Sequence, residues 1–106
     1  YVEEIAEEPY AIERLFFQLH HAGILPRQAA ILLGDFADCV PRNPVRYPYA
    51  MEEVVESLRA FAPCPVLPGL PFGHVARKLT LPFGVRSLLS LDAGRYTLSW
   101  PGLARP

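Results

Sequence analysis

Twelve prolines in 106 residues divide this chain into short pieces. The share is about twice the usual value of roughly 5%, and proline fixes φ and lacks a backbone N–H, so it is kept out of helix interiors and central strands. The prolines fall between periodic segments. They therefore mark where elements end, and a fold built from this chain must use short strands and helices joined by stiff loops.

Between these marks the periodicity is legible. From Pro9 to Ala22, Ile12, Leu15, Phe16 and Leu19 recur at three and four residues, which predicts a helix with one buried face. Glu7 and Glu8 precede Pro9, which suits the first helical position, and Gly23 then Pro26 end the segment. Tyr1 to Ile5 reads as a strand. Ala29 to Leu33 is a continuous apolar run ending at Gly34-Asp35-Phe36, as expected of a buried strand. Residues 37–49 read as loop. Met51, Val54, Val55, Leu58 and Phe61 then predict a second amphipathic helix, with Glu52 and Glu53 in its first turn and Pro63 as its stop, although no Ser or Thr cap precedes Met51. Pro65 to Leu67 is a short strand. Leu81 to Gly84 predicts a turn into a strand over Val85–Leu91, and Asp92-Ala93-Gly94-Arg95 a hairpin turn before the alternating Tyr96, Leu98 and Trp100. The expected fold class is α/β: a small mixed sheet with two covering helices and a C-terminal β-hairpin, resembling a swivelling β/β/α domain.

Composition narrows the function. The length suits one domain, and a formal net charge of −1 gives no basic footprint for nucleic acid. No apolar run approaches the roughly 20 residues that span a bilayer. Cys39 and Cys64 form no Cys-x-x-Cys pair and make no ligand spacing with His20, His21 or His74, so neither a disulfide framework nor a metal site is predicted. No cofactor motif is present. The first residue, Tyr1, enters directly into strand sequence, from which a longer polypeptide is expected.

The chemistry concentrates in Pro65 to His74, Pro-Val-Leu-Pro-Gly-Leu-Pro-Phe-Gly-His. Alternating proline and glycine makes a loop stiff at some joints and unusual at others, and such a loop holds its last side chain in place. Histidine is the residue type whose unperturbed titration lies near neutrality, which suits general acid–base work. Taken by itself, His74 reads first as a loop histidine bonded to its neighbours, and only second as a catalytic one.

Several segments, in order, are similar to the C-terminal domain of the LD-carboxypeptidase family, serine peptidases that include muramoyltetrapeptide carboxypeptidases and microcin C self-immunity proteins. They are Val2-Glu3-Glu4 with Glu8-Pro9-Tyr10-Ala11-Ile12-Glu13-Arg14, Ala22-Gly23-Ile24-Leu25, Leu33-Gly34-Asp35-Phe36-Ala37-Asp38-Cys39, Gly69-Leu70-Pro71-Phe72-Gly73-His74 and Leu81-Pro82-Phe83-Gly84. The resemblance implies a Ser-His-Glu triad. His74 takes the family histidine's place, and Glu3 the glutamate's, with Glu4 as the alternative if the register differs by one. The nucleophilic serine would belong to an N-terminal domain absent from this chain, since Ser57, Ser87, Ser90 and Ser99 have no Gly-x-Ser-x-Gly or comparable setting. The resemblance thus implies that residues 1–106 are one domain of a longer enzyme that removes the terminal D-alanine from murein tetrapeptides in peptidoglycan recycling. A cytoplasmic setting and a homodimer are also implied. The family resemblance leaves open a microcin-type substrate, and a non-catalytic interaction module that never meets a serine is a further reading. Cys39 with His74 would make a Cys-His hydrolase, but a cysteine in apolar sequence is usually inert. Arg14 is expected in an ion pair or cap, Asp35 in bonds to nearby backbone N–H groups, and His20 and His21 at a helix C-terminus, where the dipole suits them.

Overall fold

Three strands lie side by side in chain order, joined by helices. In the computed structural model, which describes residues 1–103, the elements are β1 (Val2–Ile5), α1 (Pro9–His21), a 3₁₀ turn (Leu25–Arg27), β2 (Ile31–Ala37), α2 (Met51–Phe61), β3 (Val66–Leu67), β4 (Leu88–Asp92) and β5 (Arg95–Ser99). Strands β1, β2 and β3 form one parallel sheet with β2 in the centre, and β4 pairs antiparallel with β5. Ile12 and Phe16 of α1, Val54 and Leu58 of α2, Ile31 and Leu33 of β2 and Val66 of β3 make one buried cluster. Both helices therefore cover the same face of the sheet, as two parallel crossovers of the same hand require. The α/β class with two covering helices and a C-terminal hairpin holds. The hairpin, however, forms its own two-stranded sheet and does not extend the parallel one.

Helix α1 starts and stops where its sequence directs. Pro9 occupies the first turn, where its missing N–H costs nothing. At the other end the Gly23 N–H donates to His20 O and the Ile24 N–H to Leu19 O, while Gly23 takes φ +71°. This is a Schellman closure, and it requires the left-handed backbone that glycine adopts without strain. Leu15 departs from expectation. It is 42% exposed, beside the shallow groove that Val2, Phe16 and Phe36 also line, while Ile12 and Phe16 supply the buried face.

Helix α2 has Ala50 at its N-cap position, and alanine has no side-chain acceptor. The Glu53 carboxylate compensates in part by accepting the Ala50 N–H at 2.9 Å. A missing cap costs about 1 kcal/mol, whereas full burial of an aliphatic side chain contributes about 1.5–3 kcal/mol, and Val54 and Leu58 are both completely buried. Packing, more than capping, holds this helix.

Two strand boundaries differ from those the sequence predicts. Strand β2 begins at Ile31 and runs through Gly34, Asp35 and Phe36 to Ala37, because Phe36 and Ala37 pair with Glu4 and Ile5 of β1. Strand β4 begins only at Leu88, since its length is set by the ladder to β5, which ends at Leu88 opposite Ser99. The hairpin turn forms as expected at Ala93 and Gly94, with φ +45° and +77°. Two successive positive values are the type I′ geometry that matches strand twist.

Candidate active site

The site is assembled from three places: β1, the middle of β2, and the loop after β3. Val2 pairs with Leu33 and Glu4 with Phe36, so β2 carries one residue more than β1 over this interval. The extra residue is a β-bulge at Gly34–Asp35, opposite Glu3. Bulges bend a strand and re-aim the side chains beside them.

The histidine loop is an irregular continuation of β3 along β2. The ladder begins with the Ile31 N–H donating to Pro65 O at 2.9 Å; beyond Pro68 and Gly69 pairing resumes, with the Leu70 N–H donating to Leu33 O at 3.0 Å and the Asp35 N–H to Phe72 O at 2.7 Å. Gly34 makes this approach possible. A Cβ on Gly34 would lie 2.5 Å from the Phe72 carbonyl oxygen and 3.2 Å from Glu3 Cβ. Gly73, at φ +135°, is similarly enclosed by Asp35 and Glu3. Leu33-Gly34-Asp35-Phe36 and Gly69-Leu70-Pro71-Phe72-Gly73-His74 are thus two halves of one packing arrangement.

The consequence is a contact between residues 3 and 74. His74 Nδ1 lies 2.8 Å from Glu3 Oε2. A carboxylate accepts hydrogen bonds only, so Nδ1 carries the proton and Nε2 of the neutral ring keeps its lone pair. The side chain of Glu3 is 23% exposed and that of His74 56%. An ion pair or hydrogen bond this wet contributes at most about 1 kcal/mol, so the backbone bonds and glycine contacts fix the loop, and the Glu3 contact orients the ring. Glu4 is engaged elsewhere: its Oε1 accepts the Ile5 N–H at 2.9 Å. Glu3, not Glu4, is the carboxylate that meets His74.

A cavity of about 340 Å³ opens beside the pair, lined by Glu3, Phe72, Gly73, His74 and residues Lys78 to Leu81. The segment 78–81 is tied to the histidine loop by the Leu79 N–H donating to Pro71 O at 2.8 Å. Sequence reasoning assigns no role to this rim or to Gly34, although an isolated glycine in strand sequence is itself a sign of a bulge or a close backbone approach.

Other candidates lie apart. Cys39 is buried in the core, its Sγ 3.5 Å from Ala37 O, and burial pushes its thiol up, away from the thiolate a nucleophile needs. Arg14 makes no ion pair among the described residues; its neighbour Glu13 accepts the Tyr49 hydroxyl at 2.8 Å. The Asp35 side chain bonds to no backbone N–H among the described residues, and it is the residue's own N–H that anchors the loop. His20 packs against the Phe61 ring and His21 against Phe17. Among the described residues no His, Cys, Asp and Glu side chains gather into a metal-binding group, and no helix is long and apolar enough to cross a membrane.

A parallel sheet with helices on one face, a bulge, and a histidine loop braced on it define a domain class, and comparison with known proteins identifies it. Residues 1–89 match the profile of the LD-carboxypeptidase C-terminal domain. The chain belongs to that family. It is 34% identical over 90 residues to a Bacillus subtilis protein named "Probable murein peptide carboxypeptidase", covering 85% of this chain and 28% of that protein. The murein tetrapeptide carboxypeptidase of Pseudomonas aeruginosa is 32% identical over 88 residues, covering 83% of this chain and 28% of the relative. The crystal structure of the muramoyltetrapeptide carboxypeptidase from Oxalobacter formigenes superposes with a TM-score of 0.83 at 39% identity, over 94% of this chain and 36% of that one. The chain thus spans about a third of the length of the proteins it matches.

Proposed function

We propose that this chain is the C-terminal, base-bearing domain of a cytoplasmic serine LD-carboxypeptidase that removes the terminal D-alanine from murein tetrapeptides in peptidoglycan recycling. His74 serves as general base and acid, Glu3 as its orienting carboxylate, and the serine comes from a preceding domain of the same polypeptide. The observation that carries this reading is the 2.8 Å contact between Glu3 and His74 beside an open cavity.

Chemically, Glu3 holds Nδ1–H, which leaves Nε2 to take the proton from a serine hydroxyl as its oxygen attacks the carbonyl before the terminal residue. The same proton passes to the departing amine as the acyl-enzyme forms. A water molecule then attacks the ester, with His74 again accepting and returning a proton. Glu3 stabilises the imidazolium that forms in each half-reaction and keeps the ring in the required tautomer.

The test is D-alanine release by the full-length polypeptide. His74→Ala and Glu3→Gln are each expected to lower kcat by roughly 10⁴-fold, the scale on which triad changes act. Glu4→Gln should stay within a few-fold of the parent. Near-normal turnover by His74→Ala, or equal losses at Glu3 and Glu4, would overturn the assignment.

A further inference from the structure

The cavity beside His74 is lined by a cationic residue that the triad does not use. Its ionisable lining groups are Glu3, His74 and Lys78. Glu3 and His74 hold each other. Lys78 makes neither an ion pair nor a hydrogen bond among the described residues, so of the ionisable residues lining this space it is the one whose charge is unpaired. The position is not left to a free loop. The next residue, Leu79, is tied through its N–H to Pro71 O at 2.8 Å, within the same loop that presents His74. The backbone next to Lys78 is therefore held against the loop that presents the base, and Thr80 lines the same rim.

We infer that Lys78 receives the free C-terminal carboxylate of the peptide substrate, making it a specificity-determining residue. This rests on the carboxypeptidase reading. An exopeptidase that removes one residue must place the scissile carbonyl and the chain's terminal carboxylate in one site, about one residue apart, and a cation at that distance both attracts the terminus and rejects internal bonds. An ammonium suits this because it is a compact point charge on a flexible stem that adapts to a carboxylate. Glu3, the carboxylate in the cavity lining, is bonded to His74 and makes no ion pair with Lys78.

The experiment compares kcat/KM of the full-length polypeptide on three peptides: a tetrapeptide with a free terminal carboxylate, its C-terminal amide, and a tetrapeptide whose third residue is lysine in place of a carboxylate-bearing diamino acid. Lys78→Met should lose about 10- to 100-fold on both free-acid peptides, the range of a charge-assisted bond at a partly wet surface. On the amide it should change by no more than a few-fold, and Lys78→Arg should recover most of the acid activity. An equal loss on acid and amide, or no loss, overturns the inference, as does a loss confined to the peptide with the side-chain carboxylate. If the parent protein cleaves none of the peptides, the carboxypeptidase reading falls. The role of Lys78 is then decided by calorimetric binding of acid against amide, where Lys78→Met must abolish the preference for the acid.

Discussion

Gly34 shows how much can depend on a missing Cβ. The Phe72 carbonyl oxygen sits 2.5 Å from where that atom would be, and it is also the acceptor of the Asp35 N–H. An added methyl group cannot be accommodated by rotating a side chain; the backbone of the histidine loop has to move. Gly34→Ala is expected to destabilise the protein by about 1–3 kcal/mol, the range for overpacking, and to lower full-length activity further by displacing His74 from Glu3. Melting temperature and kcat measured together check this, and a variant with both intact would contradict the role given to the glycine. Glu3 and Glu4 make the complementary point. Adjacent strand residues point to opposite faces, so only one could reach the histidine, but which one depends on the pairing around the bulge at Gly34–Asp35; the glycine hints at a bulge, but the register that sets Glu3 opposite it comes from another strand.

At the scale of elements, α1 is joined to the segment before α2 by the Tyr49 hydroxyl, which donates to Glu13 at 2.8 Å. Removal from water, followed by the neighbouring Glu13 carboxylate, pushes the phenol from its ordinary value of 10.0 up to about 12. The folded protein therefore keeps a proton that the unfolded chain releases as the pH rises past 10. The associated stability is fully present below pH 10 and is lost as the pH climbs toward 12. With partial exposure discounted, the loss should be on the order of 1–2 kcal/mol. Tyr49→Phe should show a correspondingly shallower decline in melts at pH 9, 10 and 11; an unchanged slope would mean the phenol is not perturbed. The helices themselves are legible in the sequence, because Pro9, Gly23 and Pro63 act on their immediate neighbours. The ends of β2 and β4 are not, because a strand is as long as its partner allows: Gly34 to Ala37 belong to β2 through their pairing with β1, and Val85 to Ser87 fall outside β4 because they have no partner on β5. Leu15 is misplaced for a related reason, since a helix periodicity marks an apolar face without saying how far the neighbouring sheet extends to cover it.

The molecule as a whole is drawn out, measuring 50 × 32 × 28 Å with a radius of gyration of 15.0 Å, against about 13 Å for a compact domain of this size. In the hairpin, Leu88 and Leu91 are more than half exposed, and it makes no extensive packing with the helices. Among the described residues no serine hydroxyl is bonded to His74. The isolated chain is expected to release no D-alanine from a muropeptide under conditions in which the full-length polypeptide does; release by the isolated chain would show that its nucleophile lies within these residues. By itself the sequence determined the class of fold, the two helices, the turn at Ala93-Gly94 and the stiff loop ending at His74, because each arises from local rules of backbone freedom and apolar spacing. Only the tertiary structure decided that Glu3 is the carboxylate at His74, that Gly34 is the floor on which the loop rests, and that Lys78 shares the cavity. The first of those relations joins residues 71 positions apart, and all depend on strand register, bulge position and close backbone approach, which exist only once the sheet has formed.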